Sequence, residues 1–359
     1  MTPRERVMAV LRHEKPDRIP FVVFDNKLPM CTDERTLRNR GLCVASRVYS
    51  YTVHYPNVKK TMLYYTDTND KNLVKTVFET PVGTLSKVEE PTGVNSWQYE
   101  HLFKSEDDYA ALLFLVQDTV FKPEYARSAQ IKAELGEDFV VRDGIPIEPI
   151  QIIISSYMGV ERFCYEWMDN RDMVITLAKA ILDVNRKACE IVANGPLDFA
   201  LCGANAMPLI IGKDIFKEYY IPYYNECAAV MHKHNKLVGA HMDGGYKTVL
   251  AEIANCGLDY LESYDIGMDN PSLKESKEIL GDKVLWLNWP SAWQLNEPTM
   301  IEELTVRMLE DGGSGDNIIV GIIENIPPER WRDNYIAIMD GMYRYENNIA
   351  NSVVKNLNK

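Results

Sequence analysis

The sequence predicts an α/β protein, a TIM (β/α)8 barrel, and three observations carry that prediction. From residue 139 onward, strand-like and helix-like segments take turns. The strand-like runs are continuously apolar rather than alternating, as expected of a parallel sheet covered by helices on both faces. Counting one further run near the N-terminus, they number about eight, which is the number that closes into a barrel. An open doubly wound sheet is the competing architecture. It would carry a glycine-rich phosphate turn at its first strand, and none is present.

In chain order, "IPFVVF" (19–24) is the first strand. Residues 25–125 leave the alternation. Within them "TVFETPVGTLSKVEEP" reads as a β-hairpin, so this range is expected to be an insertion or cap over one barrel mouth. "FVVR" (139–142) and "IIISSY" (152–157) are the next predicted strands, followed by a long helical stretch over 160–194 with a break at Asn170. "DFALCG", "LVGAHMD", "LDYLES", "KVLWLNW" and "NIIVGI" then alternate with helical segments over 213–236, 246–257, 272–281 and 299–312, and a last helix runs from 328 to about 345.

Composition sets the remaining limits. The 359 residues are 46% hydrophobic and 25% charged, as in a globular chain with a large core, and a single barrel domain over 1–359 is expected. A net charge of −13 argues against nucleic acid as a partner, because phosphate binding needs clustered Lys and Arg. The charged start "MTPRERVMAVLRHEKPDRIP" has no signal-peptide core, and no run approaches the roughly 18 apolar residues of a membrane span, so a cytoplasmic protein without membrane partners is expected. Seven scattered cysteines without a Cys-x-x-Cys pair fit reduced thiols.

In this fold the active site lies at the C-terminal strand ends. The last four strands end on His241 and Asp243, on Glu262 and Asp265, on Asn288 and Trp289, and on Glu324 and Asn325. The strand period of two points His241 and Asp243 the same way and Met242 the other. One histidine with carboxylates from adjacent strands is a donor set for zinc with a position left for substrate. The plainer alternative makes His241 a satisfied histidine and Glu324 an N-cap or ion-pair partner. His232 and His234 are expected at the surface, and His13, His54 and His101 have no evident partners. Tyr64, Tyr65, Trp97 and Tyr99 either line an apolar pocket or pack the cap.

Several stretches resemble the uroporphyrinogen decarboxylase superfamily: the opening "MTPRERVMAVLRHEKPDRIP", then "DIFKEYYIPYYNECAAVMHKHNKLVGAHMDG", "GLDYLES" and "VGIIENIP". The match covers most of the chain and is weakest between residues 25 and 130. The superfamily is a TIM barrel with two chemistries, decarboxylases and cobalamin-dependent methyltransferases that hold zinc at the barrel mouth. The decarboxylases carry an arginine-rich motif for the carboxylates of their porphyrinogen. The corresponding "PMCTDERTLRNRGLCV" has Arg35, Arg38 and Arg40 without that pattern, and a polyanion would meet an acidic protein.

Methyltransferases acting on coenzyme M hold zinc with a His-x-Cys pair and a later cysteine. This chain keeps His241 but has Asp243 at the first cysteine position and Glu324 near the second. Oxygen donors make a harder, more electrophilic zinc. The resemblance therefore implies the methyltransferase component of an ether O-demethylase system, with zinc held by His241, Glu262 and Glu324. Asp243 is then a fourth ligand or orients His241, and Asn288 donates a hydrogen bond to substrate. The implied partners are a small-molecule methyl donor, a methoxylated aromatic compound, and a separate corrinoid protein whose Co(I) accepts the methyl group. A homodimer is left open. Transfer from a methylcorrinoid to a thiol or pterin, or a non-catalytic binding protein, are the alternatives.

Overall fold

The computed structural model describes residues 1–92, 96–203, 205–267 and 269–357, with side chains through 350. Eight parallel strands close into a barrel in sequential order: β1 (Phe21–Phe24), β2 (Cys43–Arg47), β3 (Phe139–Gly144), β4 (Phe199–Cys202), β5 (Leu237–His241), β6 (Tyr260–Asp265), β7 (Val284–Asn288) and β8 (Ile318–Ile322). Closure is made by β8 against β1, with Phe21 opposite Val320. The chain divides into two compact units. One comprises 1–49, 126–144 and 196–359 and holds the barrel; the other comprises 50–125 and 145–195.

Alternate residues of the strands fill the lumen. Val22, Phe24, Cys43, Ala45, Val140, Phe199, Leu201, Tyr260, Val284, Trp286 and Ile319 belong to one buried cluster. Two glycines make room for its large rings. A Cβ on Gly239 would sit 2.4 Å from the Tyr260 ring, and one on Gly321 would sit 2.6 Å from Trp286. Carried one step further along each strand, the same period of two places Arg47, Arg142, His241, Glu262 and Asn288 on the lumen side at the C-terminal ends.

The opposite end of the barrel is closed. Helix α1 (Pro3–Leu11) starts with a capping box, in which Thr2 and Glu5 bond each other's backbone N–H, and with proline at its first position. Its Val7, Met8, Val10 and Leu11 join the lumen cluster. Arg4 ties it to the start of β3, donating from Nε to the Phe139 carbonyl at 2.7 Å. Apolar burial of this kind contributes about 25 cal/mol per Å², so α1 is a plug rather than an appendage.

Two predicted elements differ. "IIISSY" is helical: Pro149–Ile152 is an α-helix running into a π-helical turn, Ile153–Met158. Its buried residues Ile150, Ile153, Ile154 and Met158 recur at helical spacing, and a short apolar run does not by itself distinguish helix from strand. The missing barrel strand is β2, inside the range read as insertion. Its "CVASR" is small and weakly β-prone, so its burial shows only once it pairs with β1 and β3.

The other expectations agree more closely. The break at Asn170 separates helices Val160–Asp169 and Arg171–Asn194. The hairpin is Asn72–Thr80 with Gly83–Pro91, in an antiparallel sheet with Lys59–Thr66 and Ser96–Glu100. Tyr64, Tyr65, Trp97 and Tyr99 are exposed on that sheet, within the second unit. The last helix extends to Leu357. No helix among the described residues is long and apolar enough to cross a membrane.

Candidate active site at the C-terminal barrel mouth

His241 is the last residue of β5, in register with Glu262 of β6. Its Nδ1 lies 2.9 Å from Glu262 Oε2. An ionised carboxylate only accepts, so Nδ1 carries the proton and donates, and Nε2 keeps the lone pair. Nε2 has no hydrogen-bond partner among the described residues, and the ring is only partly buried.

Glu262 is completely buried and faces Arg142 of β3, which reaches it across the lumen because β4 and β5 lie between their strands. Arg142 Nε is 3.0 Å from Glu262 Oε1, off the line of a hydrogen bond, while Nη2 donates to Oε2 at 3.3 Å. Burial pushes the Glu262 carboxyl up. The charge of Arg142, then the His241 hydrogen bond, outweigh it and bring the carboxyl down to about 2. Glu262 is thus an anion in the interior, and it fixes the tautomer of His241.

Immediately after Glu262 the strand bulges. The β6–β7 register slips between Glu262 and Tyr264, and Ser263 takes φ +63°. Bulges of this kind re-aim side chains beside sites. Here Tyr264 bonds outward to Ser276 at 2.8 Å, and Asp265 comes opposite Asn288. Burial, reinforced by the negative charge of Asp243, raises the Asp265 carboxyl above its ordinary value, against a bond from the Gly267 N–H. Asp243 lies two residues past the end of β5, where Asn205 donates to its Oδ2 at 3.3 Å. Asn288 accepts from the Ile323 N–H at 3.3 Å through Oδ1, which turns its Nδ2 donors away from that bond.

The predicted zinc set is therefore rearranged. His241 fits a metal: one ring nitrogen is tied to a carboxylate and the other is unpartnered, the arrangement of metal-bearing imidazoles. Glu262 does not fit as a ligand, because its oxygens already face Arg142 and His241; it orients the imidazole, the role that Asp243 was expected to share. Glu324 is not gathered with them. It lies beyond the end of β8, half-buried, and its charge acts on Lys27, whose ammonium bonds Asn325. Among the described residues no three His, Cys, Asp or Glu side chains converge as a metal set.

Other candidates have structural partners. Trp289 is buried and donates to Thr305 Oγ1 at 3.0 Å. His232 pairs with Asp259 at 2.9 Å, His13 lies 3.2 Å from Asn317 Oδ1, and His54 lies 2.9 Å from Thr52 Oγ1. In the second unit His101 packs against Gly159. Sequence reasoning missed Arg142 and Arg47. The available signal was an arginine at the lumen-facing position of a strand end, visible in "FVVR" and, once β2 is known, in "CVASR".

No family model matches the chain, and no curated protein matches it. Solved structures do. A methyltransferase from Methanosarcina mazei superposes with a TM-score of 0.60 at 16% identity, over 96% of this chain and 99% of that one. A B12-independent methionine synthase from Shewanella sp. W3-18-1 reaches a TM-score of 0.49 at 11% identity, over 89% of this chain and 86% of that one. At such identities the likeness is one of fold: the eight-stranded closed barrel of this chain is a TIM barrel.

Proposed function

We propose that this chain is a methyltransferase that moves a methyl group from a methoxylated aromatic compound to the Co(I) of a corrinoid carried by a separate protein. The observation that carries this reading is the His241–Glu262–Arg142 chain at the C-terminal barrel mouth, an imidazole held by a buried carboxylate with its Nε2 unpartnered. A methyltransferase of the same fold supports the class of reaction.

In the transfer, the Co(I) electron pair forms the bond to the methyl carbon, the C–O bond breaks, and its pair remains on the phenolate oxygen. Negative charge grows on that oxygen, so a fixed positive or proton-bearing group beside it stabilises the transition state more than the substrate. His241 Nε2, with the Asp243 carboxylate two residues on, is where zinc would be held, and when bound it would supply that charge as a Lewis acid. Glu262 keeps the imidazole in one orientation and one tautomer, and Arg142 keeps Glu262 ionised. Asn288, with Oδ1 held by the Ile323 N–H, presents Nδ2 as a donor to the substrate.

The test mixes the protein with Co(I) cobalamin and a panel of methoxylated aromatics and follows the methyl-Co(III) absorbance. Methylation by at least one of them, lost together with about one equivalent of zinc in His241→Ala, is the expected result. Turnover only from methylcobalamin toward a thiol or pterin would reverse the direction, and silence across the panel would end the proposal.

A further inference from the structure

Among the described residues, Arg47, Arg142 and Lys27 stand at the barrel mouth on the β1–β3 side, and two of them are committed. Arg142 is held by Glu262, and Lys27 by Asn325. Arg47, the last residue of β2, has no carboxylate within ion-pair distance and no hydrogen-bond partner among the described residues. The acids whose charge acts on it, Glu262 and Asp25, are bonded by others: Glu262 by Arg142 and His241, Asp25 by Ser46 Oγ at 2.7 Å.

Arg47 shares the lumen parity of Cys43 and Ala45, yet its side chain is exposed. It is also closely surrounded: burial, then the charge of Arg142, pulls its guanidinium below the ordinary value. Both facts hold together for a side chain at the strand ends that has the other mouth residues around it and still reaches solvent. The guanidinium carbon stands 4.1 Å from the centre of the Phe24 ring, a cation–π contact that holds the group in place and uses none of its N–H donors. Phe24 in turn lies parallel to Trp286, with ring centroids 6.3 Å apart, which fixes the platform.

We infer that Arg47 is the anchor for a carboxylate on the substrate, so that the methyl donor is a methoxylated aromatic acid rather than a neutral ether. A planar guanidinium matches a carboxylate through two parallel N–H bonds. One uncommitted cation, with Asp25 close by, suits a monoanion and disfavours a phosphate dianion. The chain's net charge of −13 repels anions at long range, so an acidic substrate needs such a local cation. Arg142, which is held by Glu262, lies over the same Phe24 ring at 5.7 Å, and Glu262 bonds His241, so the anchor stands in the same mouth as the reacting group. Arg47 is a specificity-determining residue in this account. The aromatic ring and the methyl group rest on the methyl-transfer reading, whereas the anion site does not.

The experiment measures binding without any corrinoid, using 4-hydroxybenzoate and its neutral isostere 4-hydroxybenzamide on the full chain by titration calorimetry. The wild-type protein is expected to bind the acid about tenfold to a hundredfold more tightly, the range of a charge-assisted bond. Arg47→Gln should bring that ratio to about one without weakening the amide, and Arg47→Lys should restore part of it. Equal binding of acid and amide by the wild-type protein overturns the inference, with no variant required. So does an Arg47→Gln protein that loses both ligands alike, the result of a purely structural arginine. If the acid is preferred through Arg47 but no methoxybenzoate methylates Co(I), the anion site stands and the methyl-transfer reading falls.

Discussion

The two ends of the barrel are built from the same strands and could hardly differ more. At the N-terminal end the lumen is apolar and aromatic, with Tyr260, Trp286 and Phe24 filling it and helix α1 inserting Val7 and Leu11 beneath. At the C-terminal end, two residues further along the same strands, the lumen positions are Arg47, Arg142, His241, Glu262 and Asn288. One end holds the fold together through area removed from water. The other sequesters charge, which costs stability unless every buried ion has its counter-ion. A site is affordable at one end because the other is plugged so fully.

That contrast can be broken at either end. The largest effect is expected from Arg142→Met, which leaves Glu262 as a buried charge without its main partner; denaturant unfolding should show a loss of about 3–5 kcal/mol. His241→Ala should do the reverse, cutting the proposed methyl transfer about a thousandfold, equal to about 4 kcal/mol of barrier, while the unfolding midpoint scarcely moves. A large fall in stability here would mean that the mouth is structural. Leu11→Ala, at a fully buried position in the plug, should cost about 2–5 kcal/mol and leave turnover per folded molecule intact. Lost turnover in that variant would show that the two ends are coupled.

The smallest effect is a pH dependence. Glu262 has a folded value of about 2, below its ordinary 4.5, so its contribution to stability is complete above about pH 4.5 and is lost as the pH falls toward 2. Unfolding midpoints measured from pH 5 to 3 should decline in the wild-type protein and decline less in Arg142→Met, where burial without the guanidinium favours the protonated acid. Parallel slopes would show that Arg142 is not what keeps Glu262 ionised.

Much of this was legible in the chain itself. The barrel, the break at Asn170, the hairpin over 76–91 and His241 at a strand end all follow from apolar runs, helical spacing and turn residues, which are properties of near neighbours. Two segments defeat that kind of reasoning. "IIISSY" is too short for its period to show, and "CVASR" owes its burial to neighbours distant in sequence. Glu262 and Glu324 read alike as acids at strand ends. They separate only when one is found inside the register of β6 and the other past the end of β8.

What the amino-acid sequence determined alone is the succession of strands and helices and the polar character of the C-terminal ends, because period and composition act over a few residues. The closed barrel decided the partners. Arg142 meets Glu262 from 120 residues away, the bulge at Ser263 turns Asp265 toward Asn288, and Arg47 reaches the mouth without an acid of its own. Such pairings depend on which strands face one another across the lumen, and only closure brings them within a few ångströms.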